Sequence, residues 1–88
     1  MKFILKQTCS VCPEQYDVYL DGERVGYLRL RHGVFTCRYP NSGGEIIYIG
    51  YPKGDGSFCD DERHTYIRQA LIHIMDYLDR KDIEYEIK

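Results

Sequence analysis

The chain has no tryptophan, no strong charge of one sign and no long apolar stretch. Each absence excludes something. Met1-Lys2-Phe3-Ile4-Leu5-Lys6 contains only three consecutive apolar residues, far too few for a signal peptide or a membrane span. The expectation is a chain that stays in the cytoplasm, with no membrane partner. A net charge of −2 gives no bulk attraction to polyanions and argues against nucleic acid as a partner. There is no Ser/His/Asp arrangement, no phosphate-binding Walker loop and no pair of carboxylates that the sequence places together. Nothing catalytic is therefore assigned, and the reading leans away from an enzyme. Internal repeats, linkers and low-complexity segments are also missing.

Eighty-eight residues, 43% hydrophobic and 30% charged, suit one globular domain spanning 1–88. Nine tyrosines fit positions with one wet and one dry end, as on a thin sheet covered on one side. Charge is uneven along the chain. Residues 1–44 hold six Lys/Arg against four Asp/Glu, and residues 45–88 hold six against ten.

Apolar residues recur at every second position from Tyr16 to about Tyr51, then at every third or fourth from about Asp60 to Lys81. The first period is that of strands and the second that of an amphipathic helix. Strands are expected at 2–7, 16–20, 23–30, 34–39 and 45–51, the last apolar on both faces and so suited to a central place. A three-residue loop around Asp21-Gly22 and a two-residue turn at His32-Gly33 align the strands. The dry face then carries Tyr16, Val18, Leu28, Leu30, Phe35, Cys37 and Tyr39. The opposite face carries Tyr19, Val25, Tyr27, Arg29, Arg31, Val34, Thr36 and Arg38.

The helix buries Ile67, Leu71, Ile74 and Leu78, flanked by Ala70 and Met75. Asp60, Asp61 and Glu62 suit its positive end, and Arg80 and Lys81 its negative end. Ser57 and Asp60 have capping-box spacing, with Asp60 or Asp61 as alternative caps. Residues 82–88 alternate with Ile83, Tyr85 and Ile87 inward, as a charged edge strand. The expected fold is α+β: an antiparallel, meander-like sheet of five or six strands with one long helix of about six turns on one face. The element order is β-β-β-β-β-α-β.

Three surfaces carry candidate chemistry. One helix cannot cover both faces of a sheet, so the face with Tyr19, Tyr27, Arg29, Arg31 and Arg38 stays open. It is the expected contact surface for a protein partner or for self-association. Cys9 and Cys12 have the spacing of half a zinc site, with two further ligands required. Tyr51-Pro52-Lys53-Gly54-Asp55-Gly56 lies between a strand and a helix, where glycines let backbone amides approach phosphate.

With Gly54 and Gly56 at the two small positions, and Val25-Gly26-Tyr27-Leu28 similar to that family's second or third strand, this element order resembles the core of the GCN5-related N-acetyltransferase fold. The resemblance implies a reduced acyl-coenzyme A site, with Gly54 and Gly56 against the pyrophosphate of acetyl-CoA. Tyr51 stands where that family has Gln or Arg, and the family's early helices have no counterpart.

Overall fold

The computed structural model describes residues 2–9, 13–78 and 84–88. Six strands and one helix follow in the order expected: β1 (Phe3–Cys9), β2 (Glu14–Leu20), β3 (Glu23–Arg31), β4 (Val34–Tyr39), β5 (Glu45–Gly50), α1 (Asp60–Leu78) and β6 (Tyr85–Ile87). They form a single sheet in the spatial order β5-β4-β3-β2-β1-β6. The first five strands make an antiparallel meander. The sixth departs from the fully antiparallel expectation. After β5 the chain crosses the sheet as α1 and returns beside β1, which sets β6 parallel to it. The Phe3 amide donates to the Glu84 carbonyl, and the Lys88 amide to the Leu5 carbonyl, each at 2.8 Å.

Alternation sorts the side chains as period-two strands require. Tyr16, Val18, Leu28, Leu30, Phe35 and Cys37 are buried beneath the helix, and Tyr39 packs against them. Phe3 and Leu5 extend this face on β1. From above, α1 contributes Ile67, Ala70, Leu71, Ile74 and Met75, with Leu78 partly buried. Phe58, which the periodicity does not single out, is also in the core. Its ring lies 4.9 Å from Phe35 and 5.8 Å from Tyr66. No helix of the described residues is long and apolar enough to cross a membrane.

The two hairpins differ in an instructive way. At His32-Gly33 both residues have positive φ, +55° and +73°, and the expected register follows: Leu30 faces Phe35 and Leu28 faces Cys37. The loop at Asp21-Gly22 is also a two-residue turn, with φ of +53° and +84°, rather than the three-residue loop expected. Paired positive-φ residues match the right-handed twist of the flanking strands. A two-residue turn alone would put β2 and β3 out of phase. A bulge corrects this: Tyr19 faces Arg24, but Val18 faces Gly26, so Val25 is the extra residue. Tyr16 then meets Leu28. The bulge also moves Val25 off the outer face assigned to it and into the core, where it is 6% exposed. Its neighbour Gly26 is buried because α1 presses there. A Cβ at Gly26 would stand 2.6 Å from Ile74 Cδ1.

Two further expectations change. β5 is an edge strand, not a central one. Its apolar character on both faces has another cause. A second bulge, between the Cys37 and Arg38 positions of β4, makes Ile46 face Arg38 while Tyr48 faces Cys37. Ile47 and Tyr48 pack toward the core, and Ile46 and Ile49 lie outside at 42% and 47% exposure. On β6, Tyr85 packs against the core but Ile87 is 39% exposed, because β6 lies at the sheet edge with a neighbouring strand on one side only. Ile83, Arg80 and Lys81 lie outside the described residues.

The N-cap of α1 is Cys59 rather than Ser57, Asp60 or Asp61. The amides of Glu62 and Arg63 donate to the Cys59 carbonyl, and Glu62 reaches back to accept from the Cys59 amide at 3.0 Å. This is the return half of a capping box.

Candidate functional site

The outer face of the sheet is built by the residues between the buried ones. Gln15, Asp17 and Tyr19 come from β2; Tyr27, Arg29 and Arg31 from β3; Val34, Thr36 and Arg38 from β4. Cross-strand pairing sets Tyr27 against Arg38, Arg29 against Thr36, and Arg31 against Val34. On the other side of β3, Gln15 faces Arg29 and Asp17 faces Tyr27. Four of the five residues expected at a contact surface, Tyr27, Arg29, Arg31 and Arg38, surround one open depression of about 540 Å³ on this face. Val34 and Thr36 supply its apolar floor, and the 42–43 loop part of its rim. Ile46 and Ile49 of β5 continue the same face beyond Arg38 and Thr36.

These side chains differ in how they are held. Arg38 is tethered, with Nη1 donating to the Gly44 carbonyl at 2.8 Å. Tyr27 is oriented by its hydroxyl, which donates to Gln15 Oε1 at 3.1 Å. Arg29 and Arg31 have no ion-pair partner among the described residues. Within the half-buried Arg29 side chain, Nε is fully buried and lacks an acceptor among those residues. A buried, unsatisfied donor on a charged group is uncommon in a folded protein.

Tyr19, the fifth expected residue, belongs to a separate cluster. Lys6 and Arg24 lie 5.2 and 5.7 Å from its ring centroid, and Arg24 also pairs with Asp17 at 3.4 Å. That cluster closes on itself and leaves Asp17 neutralised.

The glycine loop is arranged around a carboxylate. Glu62 accepts from the amides of Lys53 at 2.8 Å and Gly54 at 2.9 Å, besides that of Cys59. Desolvation works to raise the Glu62 pKa, but these amides outweigh it and bring the group down to about 2. The amide that a pyrophosphate would approach at Gly54 is thus already occupied. Gly54 is also required by packing, since a Cβ there would meet the Ser57 carbonyl oxygen.

A second polar cluster, not foreseen from the sequence, lies where β2 meets the start of α1. Glu14 is only 4% exposed. Arg63 holds it bidentately, Nε to Oε2 at 2.8 Å and Nη2 to Oε1 at 3.2 Å. The Tyr16 hydroxyl donates to Oε2 and the Phe58 amide to Oε1. Arg63 Nη1 also donates to Asp60 at 2.8 Å. Burial works to raise the Glu14 pKa, but hydrogen bonds from Arg63, Tyr16 and Phe58 hold it below the ordinary carboxylate range. Every oxygen is engaged, so the cluster is suited to clamping the helix to the sheet. Glu14 and Arg63 are separated by 49 positions, and no local spacing signals them.

Among the cysteines, Cys37 is buried, and burial pushes its thiol up to about 12. Cys9 is half-buried and Cys59 exposed. Cys12, the second member of the expected zinc pair, lies outside the described residues. Among the described residues no group of three or more His, Cys, Asp or Glu is placed to hold a metal ion.

No protein-family model, curated protein or solved structure matches the chain.

Proposed function

We propose that the protein is a small, non-enzymatic interaction module. It binds a protein partner, or a second copy of itself, in the cytoplasm through the outer sheet face around Tyr27, Arg29, Arg31 and Arg38. The observation that carries this reading is the contrast in polar satisfaction on that face. Buried Glu14 has both oxygens matched at the helix–sheet junction, whereas Arg29 and Arg31, which line a depression open to solvent, have no ion-pair partner among the described residues. Exposed Ile46 and Ile49 give the same face an apolar border, and mixed aromatic, arginine and aliphatic surfaces are what protein interfaces use. The acyl-coenzyme A alternative draws less support, because Glu62 stands at the loop amides.

The test is the double substitution Tyr27→Ser with Arg29→Ser. The expected result is a lower association state by sedimentation, or loss of a stoichiometric co-purifying protein, with the melting temperature preserved. Unchanged association and unchanged co-purification would overturn the reading.

A further inference from the structure

We infer that the segment received by this face is acidic: an extended polypeptide with Asp or Glu at alternate positions, whose carboxylates dock on Arg29 and Arg31. The inference deepens the interaction reading and rests on it.

The spacing supports it first. Arg29 and Arg31 are two residues apart on one strand, so they project from the same face at a separation of about 7 Å. An extended peptide repeats its own side chains at the same interval, so alternate carboxylates meet successive guanidiniums in register. Arginine is suited to this role, because its planar fork binds carboxylate through two parallel hydrogen bonds.

The surroundings support it next. The residues facing these two arginines across the ladder are Gln15, Thr36 and Val34, none of them acidic. By contrast, Arg63, Arg24 and Lys2 each have a carboxylate within the molecule. Asp55 reaches the rim of an adjoining depression lined by Arg29 and Arg31, yet forms no ion pair with either. Its carbonyl instead accepts from the Gly33 amide at 2.8 Å, fixing the hairpin tip beside the site. The exposed guanidinium edges of Arg29 and Arg31 therefore face the depression without a carboxylate among the described residues.

A peptide fits better than nucleic acid. The floor between the arginines is Val34 and Thr36, and the border is Ile46 and Ile49, so the cationic groups of the depression are interrupted by aliphatic surface. The chain as a whole is negative. Polyanion binding depends on many neutralised phosphates and a favourable long-range field. A peptide with alternating carboxylate and aliphatic side chains uses the local arginines and the aliphatic border together.

The experiment uses fluorescence anisotropy of a labelled peptide of alternating Glu and Val, its Gln-for-Glu counterpart, and a single-stranded oligonucleotide of equal charge. The full chain is titrated at ionic strengths from about 50 to about 300 mM, a range over which exposed charge pairs are progressively screened. The expected result is binding of the Glu peptide that weakens with salt. The Gln peptide and the Arg29→Gln/Arg31→Gln variant should each lose roughly tenfold or more in affinity. Circular dichroism melting verifies that the variant is folded. Equal binding of the Gln peptide, full affinity in the folded variant, no binding of the Glu peptide, or tighter binding of the oligonucleotide would each overturn the inference. If the Glu peptide fails while Tyr27→Ser/Arg29→Ser still alters association, the interaction reading stands and only the acidic partner falls. If association is also unaltered, both fall.

Discussion

Arg63 and Arg29 are the same side chain placed on opposite sides of one sheet, and the molecule treats them in opposite ways. Arg63 lies at the helix–sheet junction, with a bidentate carboxylate, a second carboxylate and a backbone carbonyl around its guanidinium. Arg29 lies on the uncovered face, with a buried Nε that meets no acceptor among the described residues. A buried charge whose hydrogen bonds are all supplied internally is committed to the fold. One that no internal carboxylate meets contributes little to holding the fold together. The difference separates a side chain that holds the fold together from one that the fold does not use, and stability measurements can break it.

The largest effect is expected at the clamp. Glu14→Ala leaves Arg63 half-buried without its main partner and strips the acceptor from Tyr16 and the Phe58 amide. Breaking one side of a buried pair costs about 3–5 kcal/mol. In a chain of 88 residues that is a large share of the total stability. Arg31→Ala, at an exposed position, should change stability by less than about 0.5 kcal/mol, and Arg29→Ala, which loses a half-buried stem but no internal partner, by about 1 kcal/mol or less. Urea denaturation of the three variants checks this. Equal costs at Glu14 and Arg29 would erase the distinction.

Acid should act on the clamp in the same direction. The folded-state pKa values of Glu14 and Glu62 are both depressed, that of Glu62 to about 2, from an ordinary value of 4.5. A depressed carboxylate contributes stability that is fully present above its unfolded pKa and is lost as pH falls through its folded pKa. The melting temperature should therefore decline between about pH 4.5 and pH 2. Glu14→Gln starts lower at neutral pH and should decline less steeply over that window. A profile of unchanged steepness would remove Glu14 from the acid response.

On the inner face the helix approaches Gly26 closely enough that Ile74 Cδ1 occupies the space of an added side chain. Gly26→Val overpacks this contact and should cost about 1–3 kcal/mol. The flexible end of Ile74 can move, which makes Gly26→Ala the milder change. Substituting Thr36, on the outer face one strand away, by Val should be nearly neutral. Comparable losses at Gly26 and Thr36 would mean that both faces are tightly packed.

How legible all this is depends on the range of the physics involved. Alternation along β2, β3 and β4, the His32-Gly33 turn and the helical stripe from Ile67 to Leu78 are local, and they place the core face correctly and bring Tyr27, Arg29, Arg31 and Arg38 together on the uncovered face. The bulge at Val25 is not local: it reconciles a two-residue turn with burial of both Val18 and Leu28, and it sits where Gly26 admits the helix. β5 misleads for a related reason. Apolar residues on both faces indicate burial by two layers only when the strand is flat and central. Here a bulge turns Ile47 and Tyr48 inward together, leaving Ile46 and Ile49 on the edge. The Glu14–Arg63 pair joins distant positions, and Phe58 hides in a polar loop, so neither has a periodic signature.

The smallest effect tests the inner side of the comparison through the two thiols of the native chain. Cys37 Sγ lies under α1, 3.9 Å from the Ala70 carbonyl, with its thiol pushed up to about 12 by burial. Cys59 is exposed at the start of the same helix. Partial desolvation and the nearby Glu62 raise the Cys59 thiol too, so it reacts more slowly than a free thiol, but it reacts in the native state. Cys37 requires the helix to leave the sheet, so its labelling rate follows the opening equilibrium of the clamp. Pulsed alkylation with site-resolved mass spectrometry should show Cys59 modified early and Cys37 protected. In Glu14→Ala the protection of Cys37 should drop in step with the lost stability, while Cys59 stays unchanged. Native labelling of Cys37 as fast as that of Cys59 would show that helix and sheet part freely, and that the inner face is no more closed than the outer one.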